Sequence, residues 1–127
     1  MPSPEVLRER IRRRLADEIG RLDKQAPFTV GLAYPSPYAA GMSSLGYQRI
    51  YRAIMEAPGL GCERVFLDDE AESAPAEQGR PVSYESRRFL ADFPVVAFSV
   101  AYELEIAGVI SLLDAAGLPA LRRDRDD

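Results

Sequence analysis

Phe28-Thr-Val-Gly-Leu-Ala-Tyr34 runs straight into Pro35-Ser-Pro-Tyr38-Ala-Ala-Gly41-Met-Ser-Ser-Leu-Gly46, and from there into Tyr47-Gln-Arg-Ile-Tyr51. The first run is short, mostly apolar and bounded by Pro27 and Pro35, the pattern of a strand buried on both faces. The last opens a helical spacing of Tyr47, Ile50, Tyr51, Ile54 and Met55 that stops at Pro58-Gly59. The loop between them sits where open parallel α/β sheets bind ligands, outside the carboxyl end of the first strand. It carries no lysine for a phosphate and no G-x-G-x-x-G, so neither a nucleoside triphosphate site nor a standard dinucleotide site is supported.

Downstream, Cys62-Glu-Arg-Val-Phe-Leu67 reads as a second strand, and the strand–helix–strand unit of ~35 residues fits a right-handed parallel crossover. Asp68 to Gly79 is acidic, Ala-rich and interrupted by Pro75, which predicts a surface connection or frayed helix. Pro81 to Ser86 alternates weakly and predicts a short edge strand. Pro94-Val-Val-Ala-Phe-Ser-Val-Ala101 is an apolar run of the kind found in central parallel strands. Ile106 to Ala116 then predicts a helix closed by Gly117, followed by Leu118-Pro-Ala-Leu121 and a charged tail from Arg122 to Asp127.

Upstream, Ser3 can cap a helix with Pro4 at its first position, and Leu7, Ile11, Leu15, Ile19 and Leu22 form an apolar stripe that predicts a helix over residues 4–24 packing on the neighbouring domain, residues 27–127. Its other face carries Arg8, Arg10, Arg12, Arg13 and Arg14, with Glu9–Arg13, Arg14–Glu18 and Asp17–Arg21 pairs available at i,i+4, and is expected to be solvated. The chain therefore divides into an amphipathic helix (1–26) and a partial α/β domain (27–127), a Rossmann-like, flavodoxin-like parallel sheet in which strand 3 lies on an edge if the strand order is 2-1-3. The pattern stops where another parallel strand is due, which predicts a truncated domain. Strand 3 then has an apolar edge that invites self-association or a second subunit.

Composition removes several chemistries. Histidine is absent and Cys62 is the sole cysteine, so this chain builds no disulfide, no Cys/His zinc cluster, no three-cysteine iron–sulfur site and no histidine-dependent nucleophile. A formal charge of −4 argues against nucleic acid, and all but one of the sixteen cations are arginine, the exception being Lys24. No apolar run approaches the ~20 residues of a membrane span, and the charged amino terminus has no apolar core, so a cytoplasmic location without membrane contact is expected.

In the loop, Pro35 and Pro37 stiffen the backbone, Gly41 permits close approach, and Ser43 or Ser44 can cap the following helix or offer backbone N–H groups to a ligand. Tyr34 is suited to packing and Tyr38 to ligand contact. If the sheet is parallel, Ser99, Tyr102, Glu103 and Glu105 reach the same crevice, the two glutamates as acid or base or as first-turn residues of the next helix. Asp68 and Asp69 mimic a ribose-binding acid without the glycine fingerprint. Cys62 opens a strand without a base nearby and is expected to be a buried, inert thiol.

The run from Gly31 to Tyr51 resembles the amino-terminal segment of a family of radical S-adenosylmethionine proteins. Tyr84-Glu-Ser-Arg-Arg-Phe-Leu-Ala-Asp-Phe-Pro-Val-Val-Ala-Phe-Ser-Val-Ala-Tyr-Glu-Leu104 resembles that family's second signature and Glu63-Arg-Val-Phe66 its connecting strand, in the same order. The resemblance covers residues 28 to about 121. It implies a cobalamin-binding-like domain preceding a barrel with the C-x3-C-x2-C iron–sulfur motif, so that the 4Fe-4S cluster and S-adenosylmethionine belong to that downstream partner. The lower-face histidine of the D-x-H-x-x-G loop has no counterpart here, which leaves cobalamin held without a histidine ligand, or a domain that kept the fold and lost the cofactor. The residues this implies for cofactor contact are Ser36, Tyr38, Gly41, Met42, Ser43, Ser44, Ser99, Tyr102 and Glu103, with no catalytic and no metal-ligating residue. Two functions remain open: a non-catalytic accessory domain of an iron–sulfur enzyme, or an interaction module without cofactor.

Overall fold

In the computed structural model, which describes residues 4–20, 22, 24–67 and 80–125, three parallel strands form one sheet in the order β2-β1-β3. Strand β1 is Phe28–Tyr34, β2 is Leu60–Phe66 and β3 is Val95–Phe98, with Val30 opposite both Cys62 and Val95. Helix α1 spans Pro4–Asp17, α2 Tyr38–Met42, α3 Leu45–Glu56 and α4 Ile106–Ala116. The α/β class with an all-parallel sheet is the one expected, and the order 2-1-3 places β3 on an edge.

Side chains alternate across the sheet as its pleat requires. Leu32 and Tyr34 of β1 and Cys62 and Phe66 of β2 meet Tyr47, Tyr51 and Met55 of α3 and Ile11 of α1 on one face. Ala33 and Val65, one residue out of phase, meet Leu112 and Ala116 of α4 on the other. Each fully buried aliphatic side chain contributes roughly 1.5–3 kcal/mol, and the two clusters are what hold three short strands together.

Several expectations change. The amino-terminal helix ends at Asp17 rather than residue 24, and Gly20 turns the chain with φ +72°. Ile19 is fully exposed and leaves the stripe, while Leu7, Ile11, Leu15 and Leu22 pack on the sheet of residues 27–127, as expected. The residue just past the end of the helix, Glu18, is held by a buried arginine of β2. On the solvated face Glu9 pairs with Arg12 at 2.8 Å. Strand β2 begins two residues early, at Leu60, and β3 keeps only four residues of the apolar run. Pro81 to Ser86 forms no strand; a single antiparallel bridge joins Val82 to Phe89 around a turn. The first loop contains the short helix α2, for which Ala39-Ala40 supplied a propensity that the prolines obscured. Ser3, Arg21 and the stretch 68–79, with Asp68 and Asp69, lie outside the described residues. Among the described residues no helix is long and apolar enough to cross a membrane.

Candidate functional site

Helix α3 begins where Ser44 accepts a hydrogen bond from the Tyr47 amide at 3.2 Å, so Ser44 is the cap and Ser43 instead donates to the Ala39 carbonyl. Helix α4 ends at Gly117, whose φ of 76° is the left-handed cap expected of glycine.

The tips of β1 and β3 do share a rim. The Ser99 amide donates to Ala33 across the strand ends at 2.9 Å, and Gly108 of α4 lies so close to Pro35 that a side chain there would strike the Pro35 carbonyl. Glu105 is the centre of this rim. Its Oε1 accepts from the amides of Ala101 at 2.7 Å and Tyr102 at 3.1 Å, and its Oε2 from Ser36 Oγ at 3.3 Å. The Tyr34 hydroxyl interacts with Glu105 and Ser44. Burial is the largest single influence on Glu105 and raises its pKa, but the amides of Ala101 and Tyr102 with the hydroxyls of Tyr34 and Ser36 outweigh it and hold the carboxyl below its ordinary value. Burial first, then Glu105, raises Tyr34.

Ser36, Ser44 and Ser99 are therefore drawn to the rim, while Tyr102 and Glu103 stand exposed beside it. Tyr38, Gly41 and Met42 are turned away by α2. Gly41 lies against the Phe66 ring, and Tyr38 stacks on Tyr84 with centroids 5.0 Å apart, meets the Arg14 guanidinium and donates to Glu18 at 2.6 Å. Met42 places its sulfur 3.5 Å from Arg64. Ser43 is exposed.

That second group belongs to a cleft the sequence reading missed. Arg64, on the same face of β2 as Cys62 and Phe66, is 3% exposed. Its two terminal nitrogens donate to both oxygens of Glu18 at 2.9 and 3.0 Å, its Nε donates to Glu85 at 2.7 Å, and its own amide donates to the other Glu85 oxygen at 2.8 Å. Tyr51 donates to Glu85 at 2.9 Å and lies under the guanidinium. Burial lowers the pKa of Arg64, but the two carboxylates outweigh it and hold it firmly charged, whereas burial wins at Glu85 and raises it above the usual range. Burial likewise pushes Cys62 up to about 12, and the thiol is enclosed, as expected of an inert cysteine. A cleft of about 300 Å³ opens beside Arg64. The one signal in the sequence was an arginine standing at an apolar phase position of a strand.

Chemically, the rim is a set of backbone and hydroxyl donors converging on an internal carboxylate, and the cleft is a charged cluster closed on itself. Among the described residues no group of three acidic, cysteine or histidine side chains is placed to hold a metal. Neither the curated proteins nor the solved structures contain a match to the chain. Residues 46–127 match the family described as radical SAM proteins, N-terminal, a segment that takes in α3, β2, β3, α4 and the Glu105 side of the rim and leaves the loop before Gly46 outside. With well over half of its length in that match, this chain belongs to the radical SAM proteins and represents their amino-terminal domain.

Proposed function

We propose that the domain is a non-catalytic accessory of a radical SAM protein, docking through the outer side of β3 and α4 onto the barrel that carries the iron–sulfur cluster and S-adenosylmethionine. The observation that carries this reading is the apolar surface there. Among the described residues strand β3 is paired only on its β1 side, Val95 and Val100 are about half exposed, and Ile106 and Ile110, one helical turn apart on α4, are exposed to the same degree. A strand edge flanked by aliphatic side chains favours covering by another protein surface. The family match supplies the occupant, since the matched region is described as amino-terminal to the rest of such proteins.

Cobalamin fits the rim poorly. A corrin needs an open crevice between the strand tips, and here Gly108 is packed against Pro35 while Glu105 already draws the amides of Ala101 and Tyr102. The chain offers no histidine for the metal's lower face. This favours a domain that retains the fold without the cofactor. Titration of the full chain with hydroxocobalamin should leave the visible spectrum unchanged; a saturable change would restore the cofactor-binding reading. For the docking reading, the chain and a separately expressed downstream barrel should co-elute, and Ile110→Glu should abolish the complex while circular dichroism stays native. Co-elution unaffected by Ile110→Glu would remove this surface from the proposal. Light scattering of the chain alone distinguishes a third outcome, self-association through the same edge.

A further inference from the structure

The cleft beside Arg64 is built around a carboxylate that belongs to the chain itself. Glu18 is gripped in a bidentate fork by both terminal nitrogens of Arg64, with the Tyr38 hydroxyl as a third donor at 2.6 Å. A planar guanidinium with an adjoining hydroxyl is a receptor for any carboxylate, since the fork matches the two oxygens regardless of what bears them. The other side of Arg64 is committed to Glu85 through Nε and the backbone amide. Arg64 therefore keeps a neutralising partner when Glu18 leaves.

Three features mark Glu18 as the exchangeable partner. It is the first residue past α1, tied to the helix only by its amide donating to the Leu15 carbonyl at 3.2 Å. Ile19 beside it is fully exposed, and Gly20 turns at φ +72° with nothing within 4 Å of where a side chain would begin, so packing does not hold the chain at these two positions before Leu22 anchors it again. The buried cluster holds two carboxylates against one guanidinium, a charge excess that burial makes costly. Glu85, by contrast, sits on a turn bound back to β2.

We propose that this cleft is a binding site for a small organic carboxylate, which takes the place of Glu18 on Arg64 and Tyr38, with Glu18 acting as the internal occupant that closes the site when no ligand is present. The space of about 300 Å³ is at the lower end for small-molecule sites and admits a body larger than the carboxylate alone. Tyr51, Met42 and Gln48 line it with an aromatic face, a thioether and an amide, a surface for a compact, partly apolar molecule. The site is independent of the docking surface on β3 and α4.

Titrating sodium propionate into the full chain, against sodium chloride at matched ionic strength, tests this. The readouts are the Arg64 Nε–H resonance and the thermal midpoint. Glu18→Ala should bind propionate saturably and at least about tenfold more tightly than the wild type, because the wild-type site must first release its own carboxylate. Glu18→Gln, which preserves side-chain shape, should also bind more tightly than the wild type, and it carries the test if the alanine variant does not fold. Adding Tyr38→Phe to either variant should weaken binding. Overturning results are a propionate response no different from chloride in the folded Glu18 variants, or a saturable response that leaves the Arg64 resonance unmoved.

Discussion

The rim and the cleft each hold a glutamate on several donors, and they treat it in opposite ways. At the rim, Glu105 takes hydrogen bonds from two amides and two hydroxyls in a partly hydrated setting, and its carboxyl is held below its ordinary value. In the cleft, Glu85 faces a guanidinium, an amide and a hydroxyl, yet burial is strong enough to raise it. Counting donors does not predict the sign; the cost of removing the ion from water decides it. The rim is thus a local cap that many sequences could supply, whereas the cleft is a high-stakes cluster in which each member depends on the others.

Arg64→Met should have the largest effect on that contrast. It leaves Glu18 and Glu85, each with a side chain only 9% exposed, without their cation, and loss of one partner from such a buried cluster costs about 3–5 kcal/mol. Urea unfolding of the full chain measures it. Combining Arg64→Met with Glu18→Gln and Glu85→Gln should recover much of the loss, since the penalty lies in unpaired charge. A single-variant cost under about 1 kcal/mol would show that the cleft is hydrated like the rim and would collapse the distinction.

This contrast also explains what the sequence revealed. The sheet was legible because Phe28–Tyr34 and the run after Pro94 are apolar and bounded by breakers, and α4 because its spacing ends at Gly117. The sharing of a rim by Ser36 and the segment after β3 followed from parallel order alone. The cleft did not follow, because it joins Glu18, Arg64 and Glu85 from three separate elements, and the one local signal, an arginine in the apolar phase of β2, names none of its partners. The same long-range pairing holds Glu18 just past the end of α1 at Asp17, where periodicity alone carried the helix on to residue 24. Tyr38 and Met42 were assigned to the rim by proximity in sequence, and α2 rotates them into the cleft instead.

Gly108→Ala sharpens the rim side. The added methyl meets the backbone carbonyl of Pro35, which cannot rotate away as a flexible side chain would, so α4 must shift off the strand tips. Overpacking of this kind costs about 1–3 kcal/mol. Gly46→Ala, where only Ser44 Oγ comes within 4 Å, is the control and should be neutral or stabilising by up to about 1 kcal/mol in the first turn of α3. Ser44→Ala should cost about 1 kcal/mol by removing the α3 cap. Equal losses at Gly108 and Gly46 would mean that α4 does not close the crevice.

The smallest effect is the most direct measure of the contrast itself. Glu105 has a lowered folded-state pKa, so its contribution to stability is present above the ordinary value of 4.5 and is lost as the pH falls through the folded value. The stability difference between wild type and Glu105→Gln should therefore be present at pH 7 and shrink below about pH 4.5. Glu85 has a raised value, so its contribution is fully present below 4.5 and is lost as the pH rises through the folded value. Relative to Glu85→Gln, the wild type should gain stability as the medium is acidified. Difference curves from chemical denaturation at a series of pH values should accordingly slope in opposite directions for the two substitutions. Parallel slopes would mean that one kind of environment holds both carboxylates, and the division of this domain into a hydrated rim and a dry cleft would fail.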